Sequence, residues 1–93
     1  MALDWVAQIT ANPKSSTFPA TDAVVFEWTG THNVQLMADE ASWTACDFTG
    51  ALDLGSVSGV TATGAAGDTA YYASSVGKNC TNGRKIAITW AAA

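Results

Sequence analysis

Residues 70–90 read AYYASSVGKNCTNGRKIAITW, and this stretch sets the fold class of the chain. At its start Tyr71 and Ala73 alternate with Tyr72 and Ser74, and at its end Ile86, Ile88 and Trp90 alternate with Ala87 and Thr89. A period of two carried by β-branched and aromatic residues marks a half-buried strand. The stretch therefore predicts two strands joined by a loop rich in Gly and Asn that carries Cys80. The last strand, with three large apolar residues on one face, is expected to lie centrally in a sheet.

Working outward, the same period recurs in short runs separated by turn formers. In AVVFEW (residues 23–28), Val24, Phe26 and Trp28 share one face, with Val25 and Glu27 on the other. In THNVQLM (residues 31–37), His32, Val34 and Leu36 alternate with Asn33, Gln35 and Met37. Trp5, Ala7 and Ile9 alternate with Asp4, Gln8 and Thr10, which predicts a first strand stopped by Asn12 and Pro13. Between Pro13 and Pro19 the polar run predicts a loop or an irregular edge, because proline lacks the N–H of a central ladder. ADEASW suits a single helical turn, residues 52–63 suit surface strands and turns, and residues 64–68 a tight turn. About seven short strands with little helix predict an all-β, Greek-key sandwich of two sheets. Trp28, Tyr71 and Tyr72 fall within this alternation and read as core, whereas Trp43, in a connecting segment, reads as the exposed aromatic.

The length of 93 residues suits one domain, residues 1–93, with Ala91, Ala92 and Ala93 reading as a linker stub from a longer chain. A chain of this size buries roughly 60 to 65% of its unfolded surface, so a covalent staple would help it. The two cysteines, Cys46 and Cys80, either pair or sit as buried free thiols. Two cysteines far apart in a small domain favour pairing and an oxidising compartment, so the protein is expected to be secreted or extracellular. The opening MALDWVAQ has no basic region followed by an apolar one and does not read as a secretory signal, which suits a mature domain with an added Met1.

A formal charge of −4, from eight acidic and four basic residues, argues against a nucleic-acid partner. No apolar run approaches the roughly 18 residues of a membrane span. Lys78, Arg84 and Lys85 crowd into the opening stretch, with only Lys14 elsewhere. They predict a basic end suited to an acidic polysaccharide or an acidic protein patch.

Four segments together resemble the phytocyanins, the plant and algal branch of the small blue copper proteins or cupredoxins. They are FEWTGTHNV (residues 26–34), ACDF around Cys46, TAYYA (residues 69–73) and GKNCTNGRKIAITW (residues 77–90). The likeness spans most of the chain from Phe18 onward and implies a plastocyanin-like Greek-key β-sandwich. In that family copper is held by a histidine of the HNV-type segment, a cysteine closing the next aligned strand, a histidine of the GHC-type turn, and a Met or Gln four residues after that turn's cysteine. The first ligand falls on His32. The other three fall on Ser74, Asn79 and Arg84, while the family disulfide falls on Cys46 and Cys80.

Type 1 copper needs a thiolate and two imidazoles in a trigonal set with a weak axial ligand. A serine hydroxyl and an amide are poor substitutes, and a guanidinium stays cationic and repels a metal ion. The resemblance thus implies a copper-free domain that has lost electron transfer, with no cofactor expected. The alternative is a non-blue copper or zinc site on His32, helped by a carboxylate such as Asp47. Ser74 beside His32 invites comparison with a hydrolytic pair, yet no nucleophile-elbow motif accompanies them, so no enzyme is expected. Asn79, Cys80 and Thr81 form an N-x-T glycosylation sequon in a constrained loop. The sequence therefore predicts a monomeric binding or structural module whose working end is formed by His32, Ser74, Asn79 and Arg84.

Overall fold

β8 (Lys85–Ala91) runs inside a five-stranded sheet in the computed structural model, which describes residues 1–92. It pairs antiparallel with β7 (Thr69–Ala73), matching Tyr72 to Ile86 and Ala70 to Ile88. On its other side it runs parallel to β2 (Ser15–Pro19), matching Phe18 to Trp90. Beyond β7 the sheet continues through β4 (Val34–Leu36) to β5 (Leu52–Gly55). The second sheet has three strands, with β3 (Val24–Glu27) between a parallel β1 (Ala2–Asp4) and an antiparallel β6 (Val60–Ala62).

The two sheets close over a core that follows the alternation of the sequence. Val24 and Phe26 of β3 meet Tyr72 of β7 and Ile86, Ile88 and Trp90 of β8, with Trp5, Val34 and Ala62 completing the buried set. Trp5 presents its edge to Phe26 at 5.0 Å between centroids and 89° between planes, an arrangement the ring quadrupoles favour. A smaller cluster of Met37, Ala73 and Cys80 lies under α1 (Glu40–Ala45), the helical turn expected from ADEASW, with Trp43 and Phe48 packed on it. The Cys46–Cys80 disulfide ties the end of α1 to that cluster.

Among the described residues eight strands form, in line with the expectation of about seven. Several other expectations require correction. Residues 5–10 are not a strand: Asp4 Oδ1 accepts the N–H groups of Val6 and Ala7 at 3.0 and 3.1 Å, and a 3-10 turn follows over Ala7–Thr10. Such local bonding competes with a ladder, and burial falls on Trp5 and Gln8, three apart, rather than on every second residue. The run before Pro19 is a regular strand at the sheet edge, where a missing N–H is tolerated. Ala91, expected to begin a linker, is the last residue of β8 and pairs with Pro19, whereas Ala93 lies outside the described residues. The loop before β8 contains one helical turn, α2 (Asn79–Asn82), closed by Gly83 at φ 113°. Trp43 is half-buried rather than exposed, its Nε1 donating to the Tyr72 carbonyl at 3.2 Å. Among the described residues no helix is long and apolar enough to cross a membrane.

Candidate functional site

Three loops meet at one end of the sandwich, and their side chains are fixed by hydrogen bonds that cross between them. The segment leading into β4 carries His32 and Asn33; the segment leaving β7 carries Ser74 and Ser75. Asn33 clips the two together: its Oδ1 accepts Ser75 N–H at 2.8 Å and its Nδ2 donates to Ser75 Oγ at 2.7 Å. Gln35 Nε2 donates to the same hydroxyl at 3.2 Å. From the third loop, Arg84 N–H donates to the Asn79 carbonyl at 2.8 Å and the Arg84 carbonyl accepts Ser74 N–H at 3.1 Å. These bonds bring His32, Ser74, Asn79 and Arg84 to one end.

Arg84 organises the interior of that end. It is only 5% exposed, and its guanidinium meets carbonyl oxygens rather than a carboxylate. Nε donates to the Trp5 carbonyl at 2.9 Å and one terminal nitrogen to the Val6 carbonyl at 3.5 Å. The other terminal nitrogen lies 3.2 Å from His32 Nδ1, and Asn79 Nδ2 lies 3.2 Å from the same ring atom. A guanidinium can only donate, so Nδ1 is the acceptor and the neutral ring carries its hydrogen on Nε2. Burial, and then the Arg84 charge, hold the His32 pKa below its ordinary value, and burial lowers that of Arg84.

The remaining candidates are placed differently. Ser74 is fully buried and its Oγ accepts Val76 N–H at 3.4 Å, so the hydroxyl is not engaged by the imidazole. Asp47 is exposed and accepts Thr49 N–H at 3.0 Å, a bond that holds its pKa low; none of its hydrogen bonds reaches His32. Asn79 is half-buried with its amide turned to His32, which directs the sequon's acceptor nitrogen inward.

Two of the three cations expected to form a basic surface, Arg84 and Lys85, are engaged by carbonyl oxygens. Arg84 is buried as described. Lys85 Nζ donates to the carbonyls of Trp43 and Thr44 at 3.3 and 3.4 Å and sits 5.1 Å from the Trp43 ring centroid. Lys14 Nζ donates to the carbonyls of Gln8, Ile9 and Ala11 at the end of the 3-10 turn, and burial followed by the Lys85 charge lowers its pKa. Lys78 alone of the three predicted surface cations is exposed.

The donor set at this end does not fit type 1 copper. The site offers one imidazole whose inward nitrogen is already bonded to two donors, a hydroxyl, an amide and a buried cation. Among the described residues no three His, Cys, Asp or Glu side chains are grouped to hold a metal ion. Sequence reasoning missed Asn33, Ser75 and the Trp5 carbonyl as parts of the end. The first two carry a weak signal in standing beside His32 and Ser74, whereas a backbone carbonyl carries none.

No sequence-family model matches the chain, and no curated protein does. Solved structures do match. Cucumber stellacyanin, in a structure whose name specifies Cu2+ at pH 7.0, is similar at a TM-score of 0.72 and 31% identity, over 84% of this chain and 73% of that one. Spinach plantacyanin is similar at a TM-score of 0.68 and 28% identity, over 81% of each chain. Cucumber basic protein, named as a blue copper protein, shares the fold at a TM-score of 0.69 and 24% identity, over 84% of this chain and 80% of that one. With the sandwich, the disulfide and the loop end all in place, the chain belongs to the phytocyanin family of cupredoxins.

Proposed function

We propose that this phytocyanin domain works without type 1 copper, as an extracellular binding or structural module rather than an electron carrier or an enzyme. The observation that supports this reading best is the 3.2 Å contact between the Arg84 guanidinium and His32 Nδ1. A metal ion taking that lone pair would have to displace a buried cation or lie beside it, and like charges in a poorly hydrated site repel strongly. The blue copper of the family also needs a thiolate, and its aligned position holds Ser74. The disulfide suits an oxidising, extracellular setting. A non-enzymatic role fits the separate engagement of Ser74 and His32, since a nucleophile needs its base within hydrogen-bond reach.

The test is a titration of purified protein with Cu(II), followed by absorption and EPR. The expected result is no intense thiolate-to-copper band and no stoichiometric site. An intense blue band would overturn the reading, and a tight single-histidine signal with a weak d–d band would replace it with a non-blue copper site. The triple variant Ser74→Cys, Asn79→His, Arg84→Met is expected to gain blue copper, because it supplies the missing ligands and removes the competing cation.

A further inference from the structure

His32 is held as a donor that faces solvent. Arg84 and Asn79 both donate to Nδ1, each at 3.2 Å, so the ring hydrogen sits on Nε2. No hydrogen bond among the described residues takes up that N–H, and no buried side-chain nitrogen lacks a partner, so Nε2 lies at the surface. The space beside it is open. A Cβ built on exposed Gly30 would stand 3.8 Å from Nε2 and, its chain neighbours aside, meet nothing else within 4 Å.

Behind the ring stands a charge without a counter-charge. Arg84 is 5% exposed, and its guanidinium meets the Trp5 and Val6 carbonyls and the imidazole, with no carboxylate among its partners. A buried cation without an anion is costly, and carbonyl dipoles offset only part of that cost. Successive hydrogen bonds polarise one another, so a guanidinium donating to Nδ1 makes Nε2–H the stronger donor. The imidazole thus passes the pull of the buried cation to the surface while staying neutral. Lys78, the exposed cation of this end, directly precedes Asn79, whose amide holds the ring.

We infer that His32 Nε2–H, with Arg84 behind it and Lys78 at the same end, is the binding point for a small carboxylate anion. This rests on the copper-free reading, because a metal ion on the ring would change both its charge and its free nitrogen. One polarised N–H and one lysine suit the two oxygens of a carboxylate. A polyanion suits the end poorly: the chain carries a formal charge of −4, and Asp4 and Glu27 share a cavity wall with Val6, whose carbonyl Arg84 contacts. Arg84 acts here as a positioning residue, through His32.

Acetate is the probe, added at about pH 7.5, where a histidine of ordinary or lowered pKa is neutral, and balanced against chloride at constant ionic strength. Acetamide is its neutral isostere, and EDTA is present throughout. NMR is expected to show saturable acetate shifts at the His32 ring nitrogens and at the amides of Gly30, Lys78 and Asn79, with His32 still neutral. Acetamide is expected to bind about tenfold more weakly. Lys78→Gln, at an exposed position, is expected to weaken acetate by about two- to threefold. Arg84→Met leaves Asn79 on Nδ1, so it removes the charge and keeps the tautomer; acetate is expected to bind it about tenfold more weakly, with Arg84→Lys retaining part of the affinity. Equal binding of acetamide would overturn the inference in favour of a site for any hydrogen-bond acceptor. Shifts that appear only as His32 becomes protonated would replace it with an ordinary imidazolium ion pair. Tighter binding of inorganic phosphate than of acetate would replace it with a phosphate site. No acetate shifts in the folded, EDTA-treated protein would sink it outright, an outcome distinct from failure of the copper-free reading, which the Cu(II) titration reports by itself.

Discussion

Arg84 and His32 carry the sharpest residue-scale consequences. The guanidinium satisfies the Trp5 and Val6 carbonyls and shares the inward nitrogen of His32 with Asn79, and a side chain that cannot donate would leave both carbonyls without that partner. Arg84→Met alone is therefore expected to destabilise the domain by about 2 to 3 kcal/mol in urea unfolding, the scale of lost charge-assisted bonds. His32 is the chain's one histidine, so its titration by NMR is unambiguous. Its native pKa should fall below the ordinary value of about 6.5. In that case the unfolded chain takes up a proton that the folded one refuses as pH falls through that value, and stability declines. Unfolding midpoints are expected to drop between pH 7.5 and 5.5 in the native protein and to drop less in His32→Gln. A native pKa at or above the ordinary value would contradict this account of the site.

At the scale of elements, the hairpin of β7 and β8 with α2 between them is the frame of the loop end. The turn leading into β7 is packed closely against β8: a Cβ built on Gly64 would overlap the Trp90 indole. Gly64→Ala is expected to cost about 1 to 3 kcal/mol, because the buried ring has little room to give. A neutral change in melting temperature would mean that the turn moves freely. Gly83 closes α2 at φ 113°, with Ile9 O only 2.6 Å from where a Cβ would stand. The alternations of β3, β7 and β8 were legible because their large apolar residues fall on the face turned to the core, with smaller or polar residues between them. The alternation over residues 4–10 misled because Asp4 bonds to its own following N–H groups, a local competition that a period of two does not register.

The whole molecule is small, with a Cα radius of gyration of 12.0 Å, and its smaller cluster is tied covalently to the end of α1. The Cys46–Cys80 bridge joins residues 34 apart. Replacing both cysteines with alanine is expected to lower stability by about 3 to 4 kcal/mol through the freed unfolded chain. Urea unfolding of the oxidised, reduced and Cys46→Ala/Cys80→Ala forms would check this, and equal midpoints would show that packing alone holds α1 in place.

The sequence by itself determined the all-β class, the sandwich and the family likeness. Those depend on residue type and period, which are properties of the chain read along its length. Only the tertiary structure decided the fate of the charges. Arg84 and Lys85, which read as part of a basic surface, fold back onto carbonyl oxygens of the Trp5 segment and α1, which the chain brings close only when folded. The same is true of Asp4 and Glu27, which are distant in sequence and adjacent across two parallel strands.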